Sequence, residues 1–99
     1  MLFPSHDLHE IINLAIATKN TEVSQALPDD TKRYTIRVRD DKAKLRLAHV
    51  ATETTTNYIT IDRGFIWDSH EVDIADSTDI YLQSSQDNIT VEIYAWKRA

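Results

Sequence analysis

Apolar and polar residues alternate along most of this 99-residue chain, most cleanly near its end. Over 78–96, TDIYLQSSQDNITVEIYAW, Ile80 and Leu82 alternate with Tyr81 and Gln83. Ile89, Val91, Ile93 and Ala95 then alternate with Thr90, Glu92, Tyr94 and Trp96. A period of two means strands with one buried face. The polar break from Ser84 to Asn88 predicts that the two runs form an antiparallel hairpin.

The same reading extends upstream. Over 34–50, Tyr34, Ile36 and Val38, then Leu45 and Leu47, face inward, while Thr35, Arg37, Arg39, Lys44 and Arg46 face outward. Asp40-Asp41 turns the chain between them, which predicts a second hairpin with a basic outer face. Residues 11–18 read as a strand with Ile12, Leu14 and Ile16 inward, because β-branched residues and Thr18 favour it. The competing reading is a helix capped by Ser5, with Leu8, Ile11, Ile12, Ala15 and Ile16 on one face. Short strands are expected over 21–27, 58–61, 65–67 and 71–74, with turns at Lys19-Asn20, Pro28-Asp29-Asp30, Asp62-Arg63-Gly64 and Asp76-Ser77. Strands at intervals of about ten residues imply an all-β domain of seven to nine strands in two sheets, a compact antiparallel β-sandwich of jelly-roll type. Residues 1–10 read as an N-terminal arm and 11–99 as the single domain.

Composition narrows the function. There is no cysteine, which removes disulfides and thiolate chemistry and suits a reducing cytosol. The one glycine, Gly64, excludes a phosphate-cradling loop. No apolar run approaches the roughly 20 residues of a membrane helix, and MLFPSHDLHE lacks the basic and apolar regions of a signal peptide. The net charge of −5 is uneven. Segment 32–46 carries seven basic residues against Asp40 and Asp41, a net +5, and segment 47–96 carries nine acids against Arg63, a net −8. These are either solvated strand faces or complementary contacts with a neighbour.

Candidate chemistry is sparse. His6, Asp7, His9 and Glu10 could gather round a metal only on a helix, without a recognised ligand spacing. Asp68, Glu71, Asp73, Asp76 and Asp79 lack the loop spacing and glycine of a calcium site. Ser69-His70-Glu71 has the residue types of a triad, but strand neighbours point to opposite faces. No catalytic, metal or cofactor site is therefore expected. The basic segment offers one aromatic, Tyr34, and that one points inward, which disfavours nucleic acid. Trp67, Tyr81, Tyr94 and Trp96 are the better candidates. If the aliphatic positions face the core, Tyr81, Tyr94 and Trp96 form either an exposed interface strip or a second packed layer.

The stretches INLAIAT, ALPDD, YTIRVRDDKAKLRLAHV, NYITIDRGFIW and DIYLQSSQDNITVEIYAW together resemble small β-sandwich structural proteins encoded among the virion genes of tailed bacteriophages. The resemblance spans about residues 11–96 and rests on strand residues such as Ile80-Tyr81-Leu82, Val91-Glu92-Ile93 and Trp96. This chain uses Asp, Thr and Ser in turns where that group carries more glycine and alanine. The resemblance implies a non-enzymatic virion component assembled in the host cytoplasm. A capsid decoration (cement) protein is favoured, with a head–tail or tail accessory subunit, or a glycan- or receptor-binding module, as alternatives. It also implies an oligomer, with a trimer favoured, and the major capsid protein or another virion protein as partner. Leu2, Phe3 and Leu8 of the arm, Arg37, Arg39 and Arg46 of the basic segment, and the four aromatics are the expected contact residues.

Overall fold

The alternation is realised as eight strands in a computed structural model that describes residues 9–72 and 78–97. They are β1 (His9–Ile16), β2 (Val23–Ala26), β3 (Thr31–Val38), β4 (Leu45–Ala48), β5 (Ile59–Ile61), β6 (Trp67–Asp68), β7 (Asp79–Ser84) and β8 (Ile89–Lys97). Two antiparallel four-stranded sheets pack face to face, ordered β1-β8-β3-β6 and β2-β7-β4-β5. This is the strand order of a jelly roll, a ribbon of paired strands rolled into two layers.

The registers display the ribbon directly. His9 faces Trp96 and Val23 faces Leu82, and both pairs of residue numbers add to 105. Thr35 facing Asp68 and Leu45 facing Ile61 give 103 and 106, so one nearly constant register runs from the β1–β8 end to the β4–β5 tip. Hydrogen bonds carry it through the corners: Asn88 N–H donates to the Ala17 carbonyl at 3.1 Å, and Leu27 N–H to the Thr78 carbonyl at 2.9 Å. Rolling brings together the remaining pairs. Tyr34 faces Ala95 and Leu45 faces Ser84, both adding to 129.

The layers meet over Ile16, Leu27, Tyr34, Ile36, Leu45, Leu47, Ile61, Ile80, Leu82, Ile89, Val91 and Ile93, all buried. Apart from Leu27 and Ile61, these are inward positions the alternation marked, and Tyr34 points inward as expected. A strand prevails over the helix, at 9–16 rather than 11–18, because pairing Ile12, Leu14 and Ile16 with Ile93, Val91 and Ile89 gives β1 a partly buried face. Its first two residues, His9 and Glu10, fall in the stretch assigned to the arm. Leu2, Phe3 and Leu8, with His6 and Asp7, lie outside the described residues.

Both expected hairpins are corrected. β7 pairs with β2 and β4, and β8 with β1 and β3, so the polar break between β7 and β8 crosses from one sheet to the other. β3 and β4 likewise lie in different sheets, joined through a 3-10 turn at Arg39–Asp41. The expected strand over 71–74 is not formed at Glu71 or Val72, and Asp73 and Ile74 lie outside the described residues.

The corners form almost without glycine. Asn20, Asp30, Asp40, Asp41 and Asn88 take positive φ, where short side chains that bond the local backbone are tolerated best. Thr31 closes the proline turn, its hydroxyl donating to the Pro28 carbonyl at 2.7 Å.

Candidate interaction surfaces

The outer face of the first sheet is built from the odd residues of β1 and β3 and the even residues of β8. Register sets Tyr94 between Ile11 and Thr35, and Trp96 between His9 and Arg33. His9 stacks on Tyr94 with centroids 5.4 Å apart, and Tyr94 meets Trp96 at 4.4 Å. The Arg33 guanidinium lies 4.8 Å from the Trp96 ring centroid and forks onto Asp68, with Nε donating to Oδ1 at 3.1 Å. A ladder of rings and charges thus crosses the sheet from β1 to β6. That fork holds the Asp68 carboxyl at about 2, below its ordinary 3.8, with the His70 N–H adding to the effect.

Beside the ladder, one carboxylate serves two arginines. Glu92 meets Arg39 Nε at 2.9 Å and Arg37 Nε at 3.4 Å, and Arg39 also donates to Asn13 Oδ1 at 3.0 Å. The charge asymmetry of the sequence is therefore met partly inside the chain: three arginines of the basic segment bind acids of the acidic one. Exposed pairs of this kind contribute little stability, but they fix where the side chains lie.

Tyr81 is separated from Tyr94 and Trp96. It projects from β7 on the second sheet, between Ser24 and Ala48 in register, so the three aromatics do not form one strip. Arg46 also lies on the second sheet, 4.5 Å from the Tyr58 ring centroid. Trp67 is half-buried and packs against Tyr34 with centroids 5.4 Å apart. The Tyr34 hydroxyl is hydrogen-bonded to His49 Nε2 at 2.9 Å, and burial pushes the phenol up to about 12.

Ser69 is occupied structurally. Its hydroxyl accepts the Tyr34 N–H at 2.9 Å and donates to the His70 carbonyl at 2.8 Å. A depression of about 390 Å³ nearby is lined by Lys32, Arg33, Asp68, His70 and Glu71. Among the described residues, no three His, Asp or Glu side chains are placed to hold a metal ion.

Exposed apolar side chains that the alternation did not mark lie on and around β5. Five of the six exposed large hydrophobics among the described residues fall between positions 50 and 66: Val50, Tyr58, Ile59, Phe65 and Ile66. Phe65 is 64% exposed and Ile66 58%. They sit on the crossing from β5 to β6. A turn at Asp62–Phe65, with Gly64 at φ 78°, presents them beside Trp67 around a depression of about 280 Å³. The signal was present in the sequence: three consecutive apolar residues, Phe65-Ile66-Trp67, cannot all face inward from one short strand.

Neither family models, curated proteins nor solved structures yield a match to this chain.

Proposed function

We propose that this chain is a non-enzymatic structural protein of a phage virion, a decoration or cement subunit that docks onto the shell through exposed apolar side chains around β5. The observation that carries the reading is the exposure of Val50, Tyr58, Ile59, Phe65 and Ile66, all within residues 50–66. Exposed apolar side chains concentrated in one segment point to a protein-binding surface. The jelly roll supports the reading by analogy alone, since capsid and lectin domains both use it. The sequence resemblance points the same way.

A glycan- or receptor-binding role ranks second. Sugar recognition by aromatics needs an open ring face, whereas His9 stacks on Tyr94 and Arg33 covers Trp96. A head–tail or tail location would use the same apolar side chains against a different partner.

The double variant Phe65→Asp, Ile66→Asp separates these readings. Both residues are exposed, so the melting temperature should stay close to that of the parent. Co-sedimentation with undecorated shells should fall to background. Full occupancy by a folded variant would sink Phe65 and Ile66 as the docking surface, and binding to a glycan array without binding to shells would favour the second reading.

A further inference from the structure

We propose that β1 is a self-pairing edge, through which two copies of this chain form a twofold dimer with one sheet running across both. The inference is independent of the virion reading.

Four strands lie at sheet edges. β6 has two residues, β5 three and β2 four, and short edges offer little backbone to a partner. β1 has eight residues and pairs only through its β8 side among the described residues. Its sequence, HEIINLAI, contains no lysine, arginine or proline to blunt it.

The core is also incompletely covered there. Ile93 and Val91 of β8 are fully buried, yet their β1 partners Ile12 and Leu14 remain half-exposed. Val23, at the start of the neighbouring edge β2, is half-exposed too. On the outer face Ile11 is 64% exposed. A strand added to β1 would cover apolar side chains on both faces at once.

A second copy fits that description. In an antiparallel pair, opposed residues share a face, so β1 meets itself with inward beside inward when the register centres on one residue. Centring on Asn13 sets each Ile12 beside the partner's Leu14 and each Ile11 beside the partner's Ala15. It keeps the two Glu10 carboxylates at opposite ends, each toward the partner end that carries Lys19. A parallel pair would bring like charges together. The contact is a single ladder, smaller than a standard interface, so the dimer should depend on concentration.

Because the chain has no cysteine, Asn13→Cys gives a clean probe. Residues opposed across the axis have Cα atoms about 4.5–5.5 Å apart, within disulfide reach. Mild oxidation of this variant in the full chain should yield a disulfide dimer. Ser24→Cys, on β2, should stay monomeric. Sedimentation of the parent from micromolar to millimolar concentration should show monomer passing to dimer. Ile11→Lys with Ala15→Lys, both at exposed positions, should weaken the dimer by at least about tenfold. A parent monomeric over the whole range, equal cross-linking at both cysteines, or a trimer unaffected by the lysines would each overturn the proposal. Circular dichroism of the lysine variant guards against reading unfolding as dissociation; should it unfold, the cysteine comparison decides.

Discussion

At the scale of single residues, Tyr34 gives the sharpest consequence. Its ring is 2% exposed, packs on Trp67 and stays neutral because burial disfavours the phenolate. The folded protein therefore holds the proton more tightly than the unfolded chain, with a pKa of about 12 against an ordinary 10. That stability is fully present below pH 10 and is lost as pH rises through about 12, since the unfolded state ionises first. Two pH units correspond to roughly 2–3 kcal/mol as an upper bound. Tyr34→Phe should be less stable than the parent at neutral pH, because the hydrogen bond to His49 is gone. The gap should narrow as pH approaches 12. Urea denaturation of both proteins at neutral and alkaline pH measures this, and a constant gap would contradict it.

At the scale of elements, one side chain ties the ribbon tip to the crossing between β1 and β2. Glu22 accepts hydrogen bonds from Thr52 N–H at 2.8 Å, Thr54 N–H at 3.2 Å and the Thr54 hydroxyl at 2.7 Å. The Thr54 hydroxyl contributes most to holding the Glu22 carboxyl below its ordinary value, with the Thr52 N–H next. Thr52 sits at φ 69°, which a β-branched residue seldom adopts, and Thr54 is buried. The clamp compensates that strain by satisfying both backbone donors. Glu22→Ala should cost about 1–3 kcal/mol, a fall of several degrees or more in melting temperature for a domain of this size. An unchanged melting temperature would show that the tip holds itself. Nothing in the alternation announces Glu22, because its partners are distant in sequence and lie in an irregular turn. The strands themselves were legible, since burial of one face imposes a period that needs no partner to be seen. The pairings were not. A polar break of four or five residues between alternating runs serves a hairpin or a sheet-to-sheet corner equally well. Two-residue turns with Asn-Gly or Asp-Gly, the strongest hairpin signal, are absent here. For the same reason Tyr81, Tyr94 and Trp96 could be set opposite the aliphatic positions but not assigned to opposite sheets.

At the scale of the whole molecule, the ribbon topology interleaves the two halves of the chain completely. The first half contributes β1 to β4 and the second β5 to β8. In both sheets the strands alternate between halves: β1-β8-β3-β6 and β2-β7-β4-β5. Among the described residues every ladder therefore joins one half to the other, and none joins two strands of the same half. Each half alone would hold amphipathic strands with no native partner, and isolated strands do not persist in water. All the hydrogen-bonded structure must then form together, with long loops closed before contacts reward them, so folding should be slow and cooperative. A break in the backbone at the tip tests this without removing a residue from any strand. Fragments 1–52 and 53–99 separate β1–β4 from β5–β8 between Thr52 and Glu53. Each should give a disordered circular dichroism spectrum alone. Mixed at equal concentration, they should recover strand signal and a single melting transition, below that of the intact chain because association now opposes it. Stable sheet in either fragment by itself would mean that local pairs absent from the folded molecule can form. The interleaved registers would then not be what holds the two layers together.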